Sequence, residues 1–529
     1  MRAFASFRAS FAPPMPSFAV VTFGCQMNMH DSTRMEEVLR GAGYAPADGV
    51  EGADVVLLNT CSVREKAEQK LRSEVGRLGQ LKRRRPDLVI GVAGCVAQQE
   101  GERLLRALPQ IDLIIGPDNI PELPQLLADL DTGGLPQVRT VFDVDAPSFL
   151  AARPRPGRAG ATAFVTVMKG CNERCSYCIV PHTRGPERYR PAREIVDEIA
   201  TLVHAGVREV TLLGQTVNSY RDPETSLPPG PLVAERRWQH TRGSLARQDE
   251  TEFPALLYRI AERVPELLRL RYTSPHPRHL TASLIRAHQE LPVLARHVHM
   301  PVQSGSDRVL RRMIRRYSAA EYIERTDALR EAVPDLTLTT DVIVGFPGES
   351  DEDFEETLTL MRRVGFVGVF GFKYSQRPFT PALQLADDVS EAEKGRRLER
   401  LFATVDEHKV AHLTSLVGST QRVLVEGRGK VQTSAGAAGG GQEAASYTGR
   451  TERNEIVHFD APWDVTGELL QVTIREPYKN SLGGDLQELP PRRESHLAAS
   501  AEPSGEPALA PKEPARIGGE GRRLLPVLS

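Results

Sequence analysis

Lys169-Gly170-Cys171-Asn172-Glu173-Arg174-Cys175-Ser176-Tyr177-Cys178 follows directly on the apolar, β-branched run Ala163-Phe164-Val165-Thr166-Val167-Met168. The run reads as a buried strand, and the Gly and Asn behind it read as a loop. Three cysteines spaced C-x3-C-x2-C are therefore expected on a short loop at the carboxyl end of a strand. Thiols this close bind metal in a reducing compartment more readily than they form disulfides. A structural zinc site needs four closed ligands, and the nearest candidate for a fourth is His182. Three thiolates suit a [4Fe–4S] cluster whose fourth iron stays open to a small ligand.

Cysteines in this spacing on this kind of loop resemble those of the radical SAM superfamily. The resemblance implies that the open iron chelates the amino and carboxylate groups of S-adenosylmethionine (SAM). A zinc knuckle is the competing reading.

Outward from this loop, composition sets bounds. The chain has 529 residues, enough for two or three domains. Its formal net charge of −2 is far from the footprint of a protein that grips nucleic acid over its whole surface. Six cysteines in this length exclude a disulfide scaffold and suit a cytoplasmic protein. No apolar run approaches the roughly 18 residues of a membrane span. Residues 1–16 are expected to be a disordered leader.

Between residues 17 and 133, short apolar runs alternate with helical patterns: Phe18–Phe23, Asp54–Asn59, Leu88–Ala93 and Ile111–Ile115. Such alternation predicts a parallel sheet covered on both faces. Cys25, Cys61 and Cys95 each follow one of these strands. Parallel strands end on one side, where ligands of open α/β sheets bind, so the three are predicted to converge there. Three inert buried cysteines are the bland alternative.

Gly24-Cys25-Gln26-Met27-Asn28 with Asp31-Ser32, Asn59-Thr60-Cys61-Ser62-Val63-Arg64-Glu65, and Cys171 through Arg184-Gly185 resemble the methylthiotransferases, most closely the branch that acts on tRNA. The resemblance spans about Ser17 to Leu486. It implies two [4Fe–4S] clusters, one on Cys171, Cys175 and Cys178 that coordinates SAM, the other auxiliary on Cys25, Cys61 and Cys95. It further implies methylthiolation at C2 of N6-(dimethylallyl)adenosine next to the anticodon, with two SAM per turnover. SAM cleavage would give a 5′-deoxyadenosyl radical that removes the C2 hydrogen. A flavodoxin- or ferredoxin-like protein would donate the electron, and the chain would act as a monomer; the sulfur donor stays open. The same family acting on threonylcarbamoyl-adenosine or a ribosomal-protein aspartate is the near alternative. A non-catalytic iron–sulfur RNA-binding protein is the distant one.

A Pro-, Arg- and Gly-rich stretch, 147–160, leads to a second domain expected over 157–400. Runs at 163–168, 208–213, 268–272, 297–300, 336–341 and 366–370 give six βα units, a partial barrel with its chemistry at the carboxyl ends of the strands. Gln215, Asn218, Ser274, Gln303 and Asp341 fall there and, with Tyr177, are expected at the SAM site. His276, His297 and His299 are expected to be structural, and Gly345-Phe346-Pro347-Gly348 a tight turn near the adenosyl group. Thr216 and Tyr189 depart from the family's usual Asn and Ser. Residues 222–250 read as an inserted surface loop. A helix near 390–415 leads to an all-β tail, 415–486, that resembles the RNA-binding TRAM barrel, with an insertion at 427–446 and a disordered tail from 487. Basic candidates for RNA contact are Lys82 to Arg85, Arg311, Arg312, Arg315 and Arg316, and the turn of Arg450 and Arg453.

Overall fold

The computed structural model describes residues 15–63, 65–145, 147–154, 160–224, 250–429 and 445–489. The expected leader, most of the insertion at 222–250, all but the ends of that at 427–446, and the tail from 490 lie outside the described residues.

Six parallel strands form the first sheet: β1 (Ser17–Phe23), β2 (Ala45–Pro46), β3 (Val55–Thr60), β4 (Val89–Gly94), β5 (Leu113–Ile115) and β6 (Gln137–Arg139), in the order β2-β1-β3-β4-β5-β6. β3 is buried along its whole length, as a central strand flanked by helices must be. Its Val56 and Leu58 pack on one face, Val55 and Leu57 on the other. The sheet runs past residue 133, where the sequence had ended this domain. β6 is three half-buried residues, too short and too polar to announce itself.

β7 (Thr162–Thr166) opens the second unit. The hairpin of β8 (Met168–Lys169) and β9 (Arg188–Tyr189) frames the cysteine loop. β10 (Glu209–Leu213) and β11 (Arg269–Tyr272) join β7 in one parallel sheet. β12 (His297–His299), β13 (Thr337–Val344) and β14 (Gly368–Lys373) make the other. A parallel bridge between Leu270 and Leu294 spans the seam. These are the six strands of the expected partial barrel. Leu338, Val342 and Val344 of β13 belong to the core under the helices, while the alternate residues Thr339, Asp341 and Ile343 are only half-buried and line the open concave side.

The helix Glu391–Ser415, started by Ser390 accepting from the Glu393 N–H, leads into a closed five-stranded barrel. Its strands are β15 (Thr420–Arg428), β16 (Ala445–Arg450), β17 (Ile456–Ala461), β18 (Leu469–Pro477) and β19 (Leu482–Leu486), as the TRAM resemblance implied. The turn after β16 docks on the amino ends of the half-barrel strands. Arg269 donates to Glu209 and to the Arg450 carbonyl, both at 3.1 Å. Arg271 donates to Glu209 at 2.9 Å and to the Thr451 carbonyl at 3.0 Å.

Candidate active site

The first sheet presents its cysteines along one edge. Cys25 caps the helix Gln26–Gly41, Cys61 follows β3, and Cys95 starts the helix Cys95–Glu100. Asn28 ties these loops together. Its amide donates to Asn59 Oδ1 at 3.0 Å and to the Thr60 carbonyl at 3.3 Å, and Asn59 donates back to the Asn28 carbonyl at 2.8 Å. Gly24 cannot carry a side chain, since a Cβ there would lie 2.3 Å from Asn28 Oδ1. A hydrogen bond with Cys61 is the main reason the Cys25 thiol drops to about 6, against the opposing push of burial. That bond, followed by burial, drives Cys61 the other way, and burial raises Cys95.

The second set sits on the loop after β8. Gly170, at φ +77°, leaves no room for a Cβ against the Pro186 carbonyl. Thr216 Oγ1 lies 3.0 Å from Cys171 Sγ, and Arg315 Nη1 donates to Cys175 Sγ at 3.2 Å. Burial pushes the Cys171 thiol up to about 11 and Cys178 to about 12. A bound cation reverses that preference, because the thiolate is the ligand form. Among the described residues no three His, Cys, Asp or Glu side chains are grouped to hold a single metal ion. A four-iron cube instead takes one thiolate at each of three separate corners, and each set offers three free cysteines, with Cys61, Cys95 and Cys175 buried and the others half-buried.

Arg184 joins the two halves. It leaves the short helix Val180–Arg184 behind the Cys171 loop, donates from Nη2 to Asp31 at 2.6 Å, and from Nε to Cys95 Sγ at 3.4 Å. Both charges are buried. Burial alone would raise the Asp31 carboxyl, but Arg184, with His30, holds it at about 2. Lys169 and Arg188 on Asp118 extend this interface.

Of the residues expected to hold SAM, Gln215 has both amide atoms buried without a hydrogen-bond partner, as a ligand-facing amide would in the absence of its ligand. Ser274 (φ +57°) and Gln303 (φ +74°) both adopt left-handed backbone, strain of the sort retained at ligand clamps. The Tyr177 ring packs on the cluster of Val309, Met313 and Phe346, and burial drives its hydroxyl well up. Asp341 lies lower in the concavity, 3.3 Å from His299. Asn218 departs from expectation. Its amide donates to the His276 carbonyl at 3.0 Å and accepts the His276 N–H at 2.8 Å, so it holds a loop with both ends of the amide. His297 and His299 share Thr339 Oγ1, as structural histidines should, but His276 Nε2 is buried without a partner.

The basic runs change meaning. Lys82 pairs with Asp112 and Arg85 with Asp54, on the edge of the sheet away from the cysteines. Arg315 is buried against the Cys175 sulfur, because Ile314 (φ +57°) turns the chain inward just before it. Arg450 pairs with Glu426 and Arg453 with Glu455, inside the docked turn. Arg83, Arg84, Arg311 and Arg316 remain exposed, whereas Arg315 and the Arg450–Arg453 turn are not free cationic faces. Sequence reading missed Arg184 and Asp31 as partners, although both stand inside the quoted motifs.

The profile of the Radical SAM superfamily matches residues 165–361, and that described as Uncharacterized protein family UPF0004 matches 17–116. The chain is similar to the tRNA-2-methylthio-N(6)-dimethylallyladenosine synthase of Sorangium cellulosum (strain So ce56), 61% identical over 97% of this chain and 99% of that protein. It is 44% identical to the protein of that name from Bordetella petrii, over 87% of this chain and 89% of that one. Among solved structures, the radical S-adenosylmethionine methyltransferase TsrM from Kitasatospora setae aligns with 70% of this chain and 77% of its own, at 15% identity and a TM-score of 0.49.

Proposed function

The chain belongs to the tRNA-2-methylthio-N(6)-dimethylallyladenosine synthase family (the MiaB family), within the radical SAM superfamily, and from that premise we propose how its residues divide the reaction. It is a radical SAM methylthiotransferase that modifies N6-(dimethylallyl)adenosine in tRNA, with [4Fe–4S] clusters and SAM as cofactors. Cys171, Cys175 and Cys178 hold the cluster that binds SAM, and Cys25, Cys61 and Cys95 hold the auxiliary one. When bound, these groups supply one-electron cleavage of SAM on one side and a methylated sulfur for transfer on the other.

The remaining work is done by side chains. Gln215 offers an amide to the amino acid part of SAM, with the strained backbones of Ser274 and Gln303 around it. Arg315 and Thr216 donate to the thiolates of the first cluster and temper its negative charge. Arg184 does the same for Cys95 while fixing the distance between the two sites. Every thiolate comes from one chain, which fits a monomer. The six cysteines are free, which fits a reducing cytoplasm. A ferredoxin- or flavodoxin-like donor fits the low potential of the step, ferredoxins working near roughly −400 mV.

The observation that carries this assignment is that two sets of three cysteines lie at the carboxyl ends of two parallel sheets, joined by Arg184. The chain should bind about eight iron atoms. Cys175→Ala should abolish SAM cleavage, whereas Cys61→Ala should leave cleavage and stop sulfur insertion. Full methylthio product from Cys61→Ala would end the division of labour. Mass spectrometry of tRNA nucleosides from a deletion strain tests the substrate.

A further inference from the structure

The segment after β14 runs as a strap over both cysteine loops. The Ala382 N–H donates to the Ser176 carbonyl at 2.8 Å, inside the Cys171–Cys178 loop. Arg377 Nη2 donates to the Val63 carbonyl at 2.9 Å, and the Val63 N–H lies 3.3 Å from Cys61 Sγ. Between these anchors, Phe379 adopts φ +66°. A bulky side chain in the left-handed region is a true outlier, and such strain persists only where the surroundings dictate it.

Burial does not offset that strain, because Phe379 remains 39% exposed. Its ring lies 5.6 Å from the His182 ring, tilted by 38°, and 5.5 Å from the Arg103 guanidinium. The Arg103 side chain is itself 53% exposed. The three groups come from separate parts of the chain: the helix Glu102–Ala107 of the first domain, the helix behind the cysteine loop, and the strap. Met29 and Val63, exposed beside Cys25 and Cys61, extend the apolar rim.

We propose that Phe379, His182 and Arg103 form a stacking platform for an unpaired base of the tRNA loop. The proposal rests on the tRNA methylthiotransferase reading above and adds the surface on which the RNA sits. An aromatic ring beside an imidazole and a guanidinium plane is the chemistry on which splayed RNA bases stack. The position suits the task, since a base must leave its neighbours before C2 can face either cysteine set. Of the basic candidates, Arg315 is buried and Arg450 and Arg453 are paired with carboxylates, so these leave the role open.

The test uses anaerobically reconstituted holoenzyme and tRNA from a strain lacking its own methylthiotransferase, with Phe379→Gly and Phe379→Tyr. Glycine suits the backbone, so Phe379→Gly should raise the melting temperature while weakening tRNA binding about 5- to 50-fold. The KM for tRNA should rise with kcat held. The slope of log affinity against log salt should stay unchanged, because stacking releases no counterions. Phe379→Tyr should recover most of the affinity. Wild-type binding by Phe379→Gly, or a loss in Phe379→Tyr as large as in Phe379→Gly, would overturn the platform. Failure of the wild-type enzyme to methylthiolate this tRNA would instead overturn the reading beneath it.

Discussion

Replacing Arg184 by Gln removes one partner of a buried pair and leaves Asp31 with only His30, 3.7 Å away, beside it. Burial keeps that imidazole below its ordinary pKa, so it offers little charge in return. Breaking a buried pair from one side costs about 3–5 kcal/mol. The pH dependence gives the sign. In the native protein the Asp31 carboxyl is held at about 2 against an ordinary 3.8, worth about 2 kcal/mol. That stability is complete above the unfolded value and is lost only as pH falls through about 2. In Arg184→Gln the same carboxyl loses its cation and burial dominates, so its pKa rises and it takes a proton as the pH drops. The stability gap between wild type and variant should therefore be widest near pH 7 and narrow towards pH 4.5, measured by urea unfolding of the metal-free chain. Asp31→Asn in the Arg184→Gln background removes the lone charge and should recover about 2 kcal/mol or more in a double-mutant cycle. In the reconstituted enzyme, loss of the donor to Cys95 should make the auxiliary cluster harder to reduce and leave the SAM cluster unmoved, as read by EPR-monitored titration. Additive mutations, or a gap that widens on acidification, would refute the reasoning.

Asn218→Ala deletes both bonds to the His276 backbone and should cost about 2–3 kcal/mol, with a raised KM for SAM because the strained Ser274 turn lies just upstream. Unchanged stability with a raised KM would instead make Asn218 a cofactor contact. Glu209→Gln leaves Arg269 and Arg271 buried side by side without their shared carboxylate. It should loosen the C-terminal barrel, seen as faster proteolysis near residues 416–420. An unaltered cleavage rate would mean that the backbone contacts of the Arg450–Asn454 turn hold the barrel alone.

The parts of this architecture legible in sequence are those set by local pattern. Runs such as Val55–Leu58, apolar, β-branched and bounded by turns, read as central strands, and a cysteine just beyond each of three strands lands on one edge by topology. The helix near 390–415 and the six half-barrel strands follow from the same short-range signals. The illegible parts are set by distant partners or backbone reversals. Arg315 reads as one more cation in a basic run, and only the left-handed turn at Ile314 carries it to Cys175. Arg450 and Arg453 look like an RNA-binding turn until Glu426, Glu455 and the amino ends of the barrel strands claim them. Asn218 sits where a cofactor contact belongs, and no spacing rule reveals that His276 occupies both ends of its amide.

Why the two domains meet through charges rather than an apolar seam follows from what the interface must do. A hydrophobic contact is non-directional and tolerates sliding, whereas a hydrogen-bonded ion pair has one geometry and loses heavily away from it. Such pairs add little net stability, so here register is their use. Arg184 ends the short helix that begins two residues after Cys178, and the next residue, Gly185, accepts the Cys171 N–H at 3.1 Å. Its guanidinium reaches Asp31 and Cys95 in the other domain. The segment thus works as a short ruler with one sulfur set at each end. A base held at Phe379, where the strap also touches both loops, would meet two centres whose separation the protein has already fixed.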